Sequence, residues 1–491
     1  MVPSGGLNAA LPCDLEPPSD VIAPTTAWTW TGRSGEDSVL TTPLVANLDD
    51  DNGDGFIDLC DTPDVVVAAV DLPPGKTDPW PAGHLHVIDG SNGNHSFKIP
   101  TPIDAAVNPA LGDLDGDGVP EIVALQATGP NSPYVISDRR LVAFSAAGEL
   151  LWEGPHWQPS RGGGAIAIAD LDGDGSPEIL APEYVATADG ELAWTIPSPP
   201  LAYSMPLAVD LDLDLELGGQ LEVMFGASAY AADGTWLFDT PTIPQNRGSV
   251  AIANFDDDLY PELYVQYQGA HGLFEHDATV KAVCPTAQVE LAGIGGYPVA
   301  IHDLDDDDKV ELLFGVQANF HALAVDGDSC SLRWSKKTDT NIGLSSGTMF
   351  DLLADGSSEA IYADRSTVKL FSSQGELLFV TDRSTRESIA NPIVVDVDGD
   401  GAAEIVIASS EPLASEGDDP EPLPPSPTLL VLQNVDDRFA PTRRVWNQHT
   451  YHHSNIEEGG RVPTVEAPHW QGENSFRVNS PAVSSDSCIP L

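Results

Sequence analysis

Asp113-Leu114-Asp115-Gly116-Asp117-Gly118-Val119-Pro120-Glu121-Ile122-Val123 is an acidic turn held between two apolar runs. It returns as Asp170-Leu171-Asp172-Gly173-Asp174-Gly175-Ser176-Pro177-Glu178-Ile179 and as Asp396-Val397-Asp398-Gly399-Asp400-Gly401-Ala402-Ala403-Glu404-Ile405. Less regular copies begin at Asn47, Asp210, Asn254, Asp303 and Asp351, so eight copies recur about every 40 to 66 residues. A fixed period of this length is the mark of a repeated supersecondary unit rather than of a single catalytic site.

Short apolar runs flank each copy, such as Ala165 to Ala169 before and Glu121 to Leu125 after. Runs this short, bounded by Gly, Asp and Pro, read as strands buried on both faces. A third run follows, as in Leu141-Val142-Ala143-Phe144, and a Gly-containing turn leads to a fourth that carries tryptophan. Trp152, Trp194, Trp236 and Trp334 precede the next acidic copy by 18, 16, 18 and 17 residues. Four strands per unit predict an all-β chain, a β-propeller of four-stranded antiparallel blades. The count favours eight blades, with seven as the alternative. Trp30 lies 17 residues before Asn47 with no blade ahead of it, so residues near Trp28 to Thr31 are expected to supply the outer strand of the last blade. Such a clasp removes an exposed sheet edge. The expected organisation is an extension over 1–26, the propeller over 27–435 and an aromatic, His-rich tail over 436–491 packed on or beside it. The Pro-, Glu- and Ser-rich stretch Ser409 to Thr428 reads as an extended loop in the last blade.

The loops have the chemistry of calcium sites: oxygen ligands alternating around a tight turn. The second copy offers Asp113, Asp115 and Asp117, the Val119 carbonyl and the Glu121 carboxylate. The third offers Asp170, Asp172, Asp174, Ser176 and Glu178, and the eighth Asp396, Asp398, Asp400, Ala402 and Glu404. The sixth offers Asp303, Asp305, Asp307, Lys309 and Glu311 without the glycine, and the fifth Asn254, Asp256, Asp258, Tyr260 and Glu262. Three copies depart. The fourth has Asp210, Asp212 and Asp214, but its closing carboxylate is delayed to Glu222. The first is enlarged and contains Asp50, Asn52, Asp54, Phe56 and Asp58, with Asp64 on the following strand. The seventh has Leu353 at the third position, leaving Asp351, Asp355 and Glu359. Five to seven calcium ions are expected, each pinning the hairpin between the first two strands of a blade. Magnesium tolerates such carboxylate cages poorly.

These loops, with Phe225-Gly226 and Phe314-Gly315 just after them, resemble the FG-GAP repeats of integrin α-subunit propellers and, more closely, bacterial FG-GAP/VCBS repeat proteins. The resemblance spans about residues 27 to 435. It implies an extracellular or cell-surface calcium-binding module for adhesion or for recognising a glycan or protein, and it fixes no ligand.

Acidic residues outnumber basic ones 76 to 21, giving a formal charge of −55. Nucleic acid and anionic membrane surfaces need a positive footprint and are unsuited as partners. No run approaches the ~20 apolar residues of a membrane span, and Met1 to Pro12 has neither the basic start nor the apolar stretch of a secretion signal. Cys13, Cys60, Cys284, Cys330 and Cys488 include no C-x-x-C pair. Cys13–Cys488, Cys13–Cys60 and Cys284–Cys330 are possible bridges, and reduced thiols are the alternative.

No nucleophile-elbow, Walker or zincin motif occurs. The enzymatic alternative is a polysaccharide lyase using the tail, where Arg443, Arg444, Asn447, His449, Tyr451, His452 and His453 include groups able to abstract a proton beside a uronate carboxylate and neutralise its charge. His449 and His453, four apart, are alternatively a metal-ligand pair. The bland reading is that the tail packs against the ring. Trp446 and Trp470, outside the repeat, are candidates for stacking on a sugar, with core packing as the alternative.

Overall fold

In the computed structural model the described residues are 18–72, 82–127, 138–157, 163–197, 204–215, 219–241, 243, 245, 248–256, 258–267, 270–282, 298–316, 318–327, 329–339, 346–385, 389–411 and 426–482. They build eight blades, each based on an antiparallel meander of four strands, and a two-stranded parallel sheet of Val107–Asn108 with Gly164–Ala165. Blade 1 is Leu44–Ala46, Asp64–Val70, His84–Asp89 and His95–Lys98, with Ser38–Val39 added to its second strand. Blade 2 is Ala110–Gly112, Glu121–Ala127, Arg139–Phe144 and Leu150–Trp157. Blade 3 is Ala167–Ala169, Glu178–Ala181, Tyr184–Ala186 and Leu192–Thr195. Blade 4 is Leu207–Val209, Glu222–Phe225, Ser228–Tyr230 and Trp236–Asp239. Blade 5 is Ser249–Ala253, Glu262–Tyr267, Ala270–Glu275 and Val280–Ala282. Blade 6 is Ala300–His302, Glu311–Val316, Asn319–Asp326 and Ser329–Lys337. Blade 7 is Thr348–Phe350, Glu359–Ala363, Thr367–Phe371 and Leu377–Asp382.

Blade 8 joins the two ends of the propeller. Ile393–Val395, Glu404–Ala408 and Leu429–Asn434 are completed by Pro24–Trp30, which pairs antiparallel with Leu429–Asn434. The eight-bladed count and the N-terminal clasp therefore hold. First strands of neighbouring blades lie against one another, as Leu44–Ala46 does with Ala110–Gly112, and so line the axis. The first three strands of most blades are buried, as expected for apolar runs sandwiched between neighbouring sheets.

The register of the outer strands corrects the tryptophan spacing. Each fourth strand carries a bulge, and the residue after it turns inward. Trp152 pairs Ala143, Trp194 pairs Val185 and Trp334 pairs Ala322 at this place. In blade 4 the place belongs to Phe238, opposite Ala229, and Trp236 is half exposed. In blade 8 it belongs to Trp28, opposite Val431, rather than to Trp30. These rings lie on the turn of the next blade. A Cβ on Gly93 would come within 2.5 Å of the Trp28 ring, and one on Gly190 within 2.5 Å of the Trp152 ring. Both glycines also have positive φ, so the turn needs glycine for two reasons. Spacing alone could not separate positions two residues apart on one strand.

Beyond blade 8 the chain circles the axis. Trp446 exchanges backbone hydrogen bonds with Val45 of blade 1, and the Asn447 carbonyl accepts from Leu111 of blade 2. Gln448 Oε1 accepts from the Ile168 amide of blade 3, and the Thr450 hydroxyl donates to the Pro206 carbonyl at blade 4. His469 donates to the Ile252 carbonyl of blade 5, and Phe476 pairs with Ile301 of blade 6. The Thr348 hydroxyl of blade 7 donates to the Arg477 carbonyl, and Asn479 donates to the Val394 carbonyl of blade 8. The segment thus touches the beginning of every blade, in order, and satisfies the free inner edges of the first strands.

Cys60 and Cys330 are each disulfide-bonded, which removes the reduced alternative for both. Cys13, Cys284 and Cys488, the Met1 to Pro12 segment and most of the Ser409 to Thr428 loop lie outside the described residues.

Candidate functional site

All eight acidic copies sit between the first and second strands of their blades, and they share one hydrogen-bond frame. The closing carboxylate, first residue of the second strand, accepts from the backbone amide of the loop's second residue. Glu121 does this with Leu114 (2.8 Å), Glu178 with Leu171 (2.9 Å), Glu222 with Leu211 (2.8 Å) and Glu262 with Phe255 (2.6 Å). Glu311 does so with Leu304 (3.0 Å), Glu359 with Leu352 (3.1 Å) and Glu404 with Val397 (3.0 Å). In blade 1 Asp64 takes the role, with Leu48 at 3.3 Å. The first aspartate ties the turn from the other side: Asp113 accepts from Gly118, Asp170 from Gly175, Asp303 from Asp308 and Asp396 from Gly401. The fifth-position carboxylate accepts from the seventh amide, as Asp117 does from Val119, Asp258 from Tyr260, Asp307 from Lys309 and Asp400 from Ala402. Each bond leaves a second oxygen on the closing carboxylate free to face a cation.

Asp113, Asp115 and Glu121 bring carboxylate oxygens within 4.8 Å of one another, as do Asp170, Asp172 and Glu178. The irregular fourth loop reaches the same arrangement. Asp210, Asp212 and Glu222 converge, and Asp210 still accepts from Asp214 and Leu215. In the first loop Asp50 accepts from Gly53, Asp54 and Gly55, and Asn52 and Asp54 each cap an amide two residues on. Asp58 instead turns to its own Cys60 amide, and Asp61 accepts from Asn52. Asp61, a residue the spacing did not single out, also accepts from the Asp58 amide, and Asp58 keeps a buried oxygen without a hydrogen-bond partner. The seventh loop keeps the frame through Asp351, Asp355 and Glu359 around Leu353.

Burial among like charges lifts the closing carboxylates. Glu121, Glu178, Glu262 and Glu311 are pushed up to about 7, and Asp64, Glu222 and Glu359 to about 8, with desolvation the largest cause. Glu404 is raised well above its ordinary range for the same reason. Asp437, from beyond the last strand, leans on Asp400 and is itself pushed up to about 6 by burial and that neighbour. It adds a carboxylate to the eighth loop. Such clusters are poised for a cation, since the alternative is protonation.

Two loops already contain one. Lys281 Nζ lies 2.9 Å from Glu262 Oε1 and 3.1 Å from Glu275 Oε1, and it also meets Asp256. Arg333 donates to Asp305 Oδ1 at 2.7 Å and to Glu311 Oε1 at 2.5 Å. Both cations take the closing carboxylate by the oxygen that the loop backbone leaves free. Both come from the bulge of the fourth strand: Lys281 lies between the pairs Phe274–Val280 and Leu273–Ala282, and Arg333 between Leu323–Leu332 and Ala322–Trp334. The same bulge carries Ser96, Leu151, Ala193, Leu237, Leu378 and Ala27 in the other blades. Arg444 approaches Asp396 of the eighth loop at 3.4 Å, but through the oxygen already bonded to Gly401.

Of the tail groups that suggested catalysis, Asn447, His449, Tyr451 and His452 are buried, and Arg443, Arg444 and His453 are half-buried. Tyr451 stacks on Trp446, and its hydroxyl bonds Asn479. Arg443 spends its donors on Glu458, the Tyr451 hydroxyl and the carbonyls of His453 and Ile456. Trp446 and Trp470 are buried too, as the core-packing reading expected. His84 and His86 of blade 1 both meet Glu36.

The architecture defines the class: an all-β, eight-bladed propeller with acidic hairpin loops in every blade. Solved structures share the fold. The V. cholerae biofilm matrix protein Bap1 superposes with a TM-score of 0.69 at 20% identity, over 94% of this chain and 100% of that one. The rhamnogalacturonan lyase YesW gives 0.51 at 15% identity, over 96% and 84%. A Bacillus licheniformis rhamnogalacturonan lyase gives 0.50 at 13%, over 95% and 81%. No protein-family profile and no curated protein matches the sequence. Among the described residues no helix is long and apolar enough to cross a membrane.

Proposed function

We propose that the chain is an extracellular, calcium-stiffened FG-GAP/VCBS-type propeller that serves as an adhesion or ligand-recognition module. The fold is common to a matrix protein and to lyases, so it does not choose between them. The observation that carries the choice is the burial of the tail along the axis. Arg443 and Tyr451 are engaged in hydrogen bonds and His449 is enclosed by the ring, which favours the rim and loop faces for recognition. Apolar side chains such as Leu151, Leu192, Leu237 and Leu377 and the indole of Trp236 are exposed on the outer strands, a composition suited to contact with a glycan or protein surface.

Calcium occupies the loops of blades 1, 2, 3, 4 and 8 in this reading. The protein's own cations serve blades 5 and 6, and blade 7, with Leu353 in place of a ligand, holds its turn by hydrogen bonds. The ions lock each hairpin so that the rim keeps its shape outside the cell, where millimolar calcium is available. A glycan array run with and without calcium tests recognition: calcium-dependent retention is expected. Uronate polymers incubated with the protein should yield no unsaturated product. Sustained ultraviolet absorbance from such products, abolished by His449→Ala, would establish the lyase reading instead.

A further inference from the structure

We propose a transition-metal site, taken by zinc, at His452, Glu466 and His469, separate from the acidic loops. One ligand-capable atom of each residue lies within 4.8 Å of those of the other two, and both histidines are 2% exposed. Hydrogen bonding sets the tautomers. His452 Nδ1 faces the Thr450 carbonyl at 3.1 Å, and a carbonyl only accepts, so that nitrogen carries the proton. His452 Nε2 faces Glu466 Oε1 at 2.5 Å, a contact that a shared proton holds in the metal-free site and that a cation replaces when that proton leaves. His469 Nε2 likewise donates to the Ile252 carbonyl at 3.2 Å, leaving Nδ1 with a lone pair, buried and without a hydrogen-bond partner.

Three candidate ligand groups thus gather in a site whose two imidazoles are buried and whose carboxylate is half-buried. A proton on His452 Nε2 would satisfy the carboxylate and leave His469 Nδ1 orphaned. One divalent ion satisfies all three. Backbone carbonyls holding the far nitrogens of both imidazoles are the supporting shell that orients histidine for a metal, and the Ser454 hydroxyl, 3.1 Å from Glu466 Oε1, steadies the carboxylate in the same way. Two imidazoles and a carboxylate suit zinc, at ligand distances of about 2.0–2.2 Å with a fourth place for water. Calcium prefers all-oxygen sets, so the two metals are sorted by chemistry. The ion would bind the tail to itself across 452–469 and, through His469, to the first strand of blade 5.

The test uses the full chain, stripped with a chelator and dialysed against zinc in excess calcium. One zinc per chain is expected by elemental analysis. Cobalt in its place should give the visible bands of a low-symmetry, four- or five-coordinate site. His469→Ala and the isosteric Glu466→Gln should each lower zinc affinity by roughly ten-fold or more and leave calcium content unchanged. Stoichiometric zinc that survives both substitutions would mark adventitious surface binding and overturn the assignment. So would a stripped wild-type protein that takes up no zinc, since His452 and Glu466 would then be an imidazolium–carboxylate pair. The wild-type cobalt spectrum decides the matter even if a variant fails to fold.

Discussion

Lys281 and Glu262 form an ion pair of 2.9 Å inside the fifth acidic loop, through the carboxylate oxygen that the Phe255 amide does not use. An ammonium on the fourth strand stands where the other loops have room for an ion. Arg333 repeats the arrangement with Glu311 in blade 6.

Lys281→Ala is expected to convert the fifth loop from self-sufficient to metal-requiring. In chelator the variant should lose about 1–3 kcal/mol, a figure discounted for solvent access around the lysine. In excess calcium the loss should shrink, and the protein should bind one more calcium than wild type by elemental analysis. An unchanged count would show that the lysine does not compete with metal.

The converse substitution is Leu151→Arg, which places a guanidinium at the same bulge in blade 2. It should reach Asp115 and Glu121 and remove one calcium from the total. Leu151 is exposed, so folding should be undisturbed. Retention of the full complement would argue that bulge position alone does not admit the side chain.

The metal-free protein should gain stability as pH falls from about 8 to 6.5. Seven closing carboxylates are raised in the folded chain to about 7 or 8. A raised acid binds protons more readily folded than unfolded. Its penalty is therefore fully present above the folded value and disappears as pH falls through it. Each net proton taken up is worth about 1.4 kcal/mol per pH unit. Calcium-saturated protein should depend less on pH over the same window, because ions hold Asp64, Glu121, Glu178 and Glu222 ionised while Glu262, Glu311 and Glu359 still titrate. Parallel melting curves with and without chelator check this, and a falling melt for the stripped form would refute it.

Trp28→Ala should open the ring at its seam. The indole is buried, donates to the Gly90 carbonyl at 2.6 Å and covers Gly93 of blade 1. Loss of a buried tryptophan costs about 3–5 kcal/mol. Hydrogen exchange should rise first in Leu429–Asn434, its pairing partner, and protection there equal to wild type would contradict the clasp.

The repeat was legible because calcium-type turns need carboxylates at fixed offsets, so their period survives variation elsewhere. Glu222 fell under suspicion only because four extra residues intervene, and the hydrogen-bond frame returned it to place. Lys281 and Arg333 were not legible. Their relation to the loops depends on a bulge register that linear spacing does not encode, just as Trp236 and Phe238 exchanged places. The tail was harder still, since its partners are set by the ring and not by a period. His452 and His469 meet because the chain doubles back between them, and a search for histidines four apart pointed to His449 and His453 instead.

The clasp has a consequence for biosynthesis. Ala23 bonds to Asn434 across 411 residues of chain, so an emerging polypeptide carries an unpaired leading segment through almost its whole translation. Contacts that distant are slow to form, because loop closure precedes any reward. The finished circle can arise only after the final sheet has been released, so closure of the ring is a late, post-translational step.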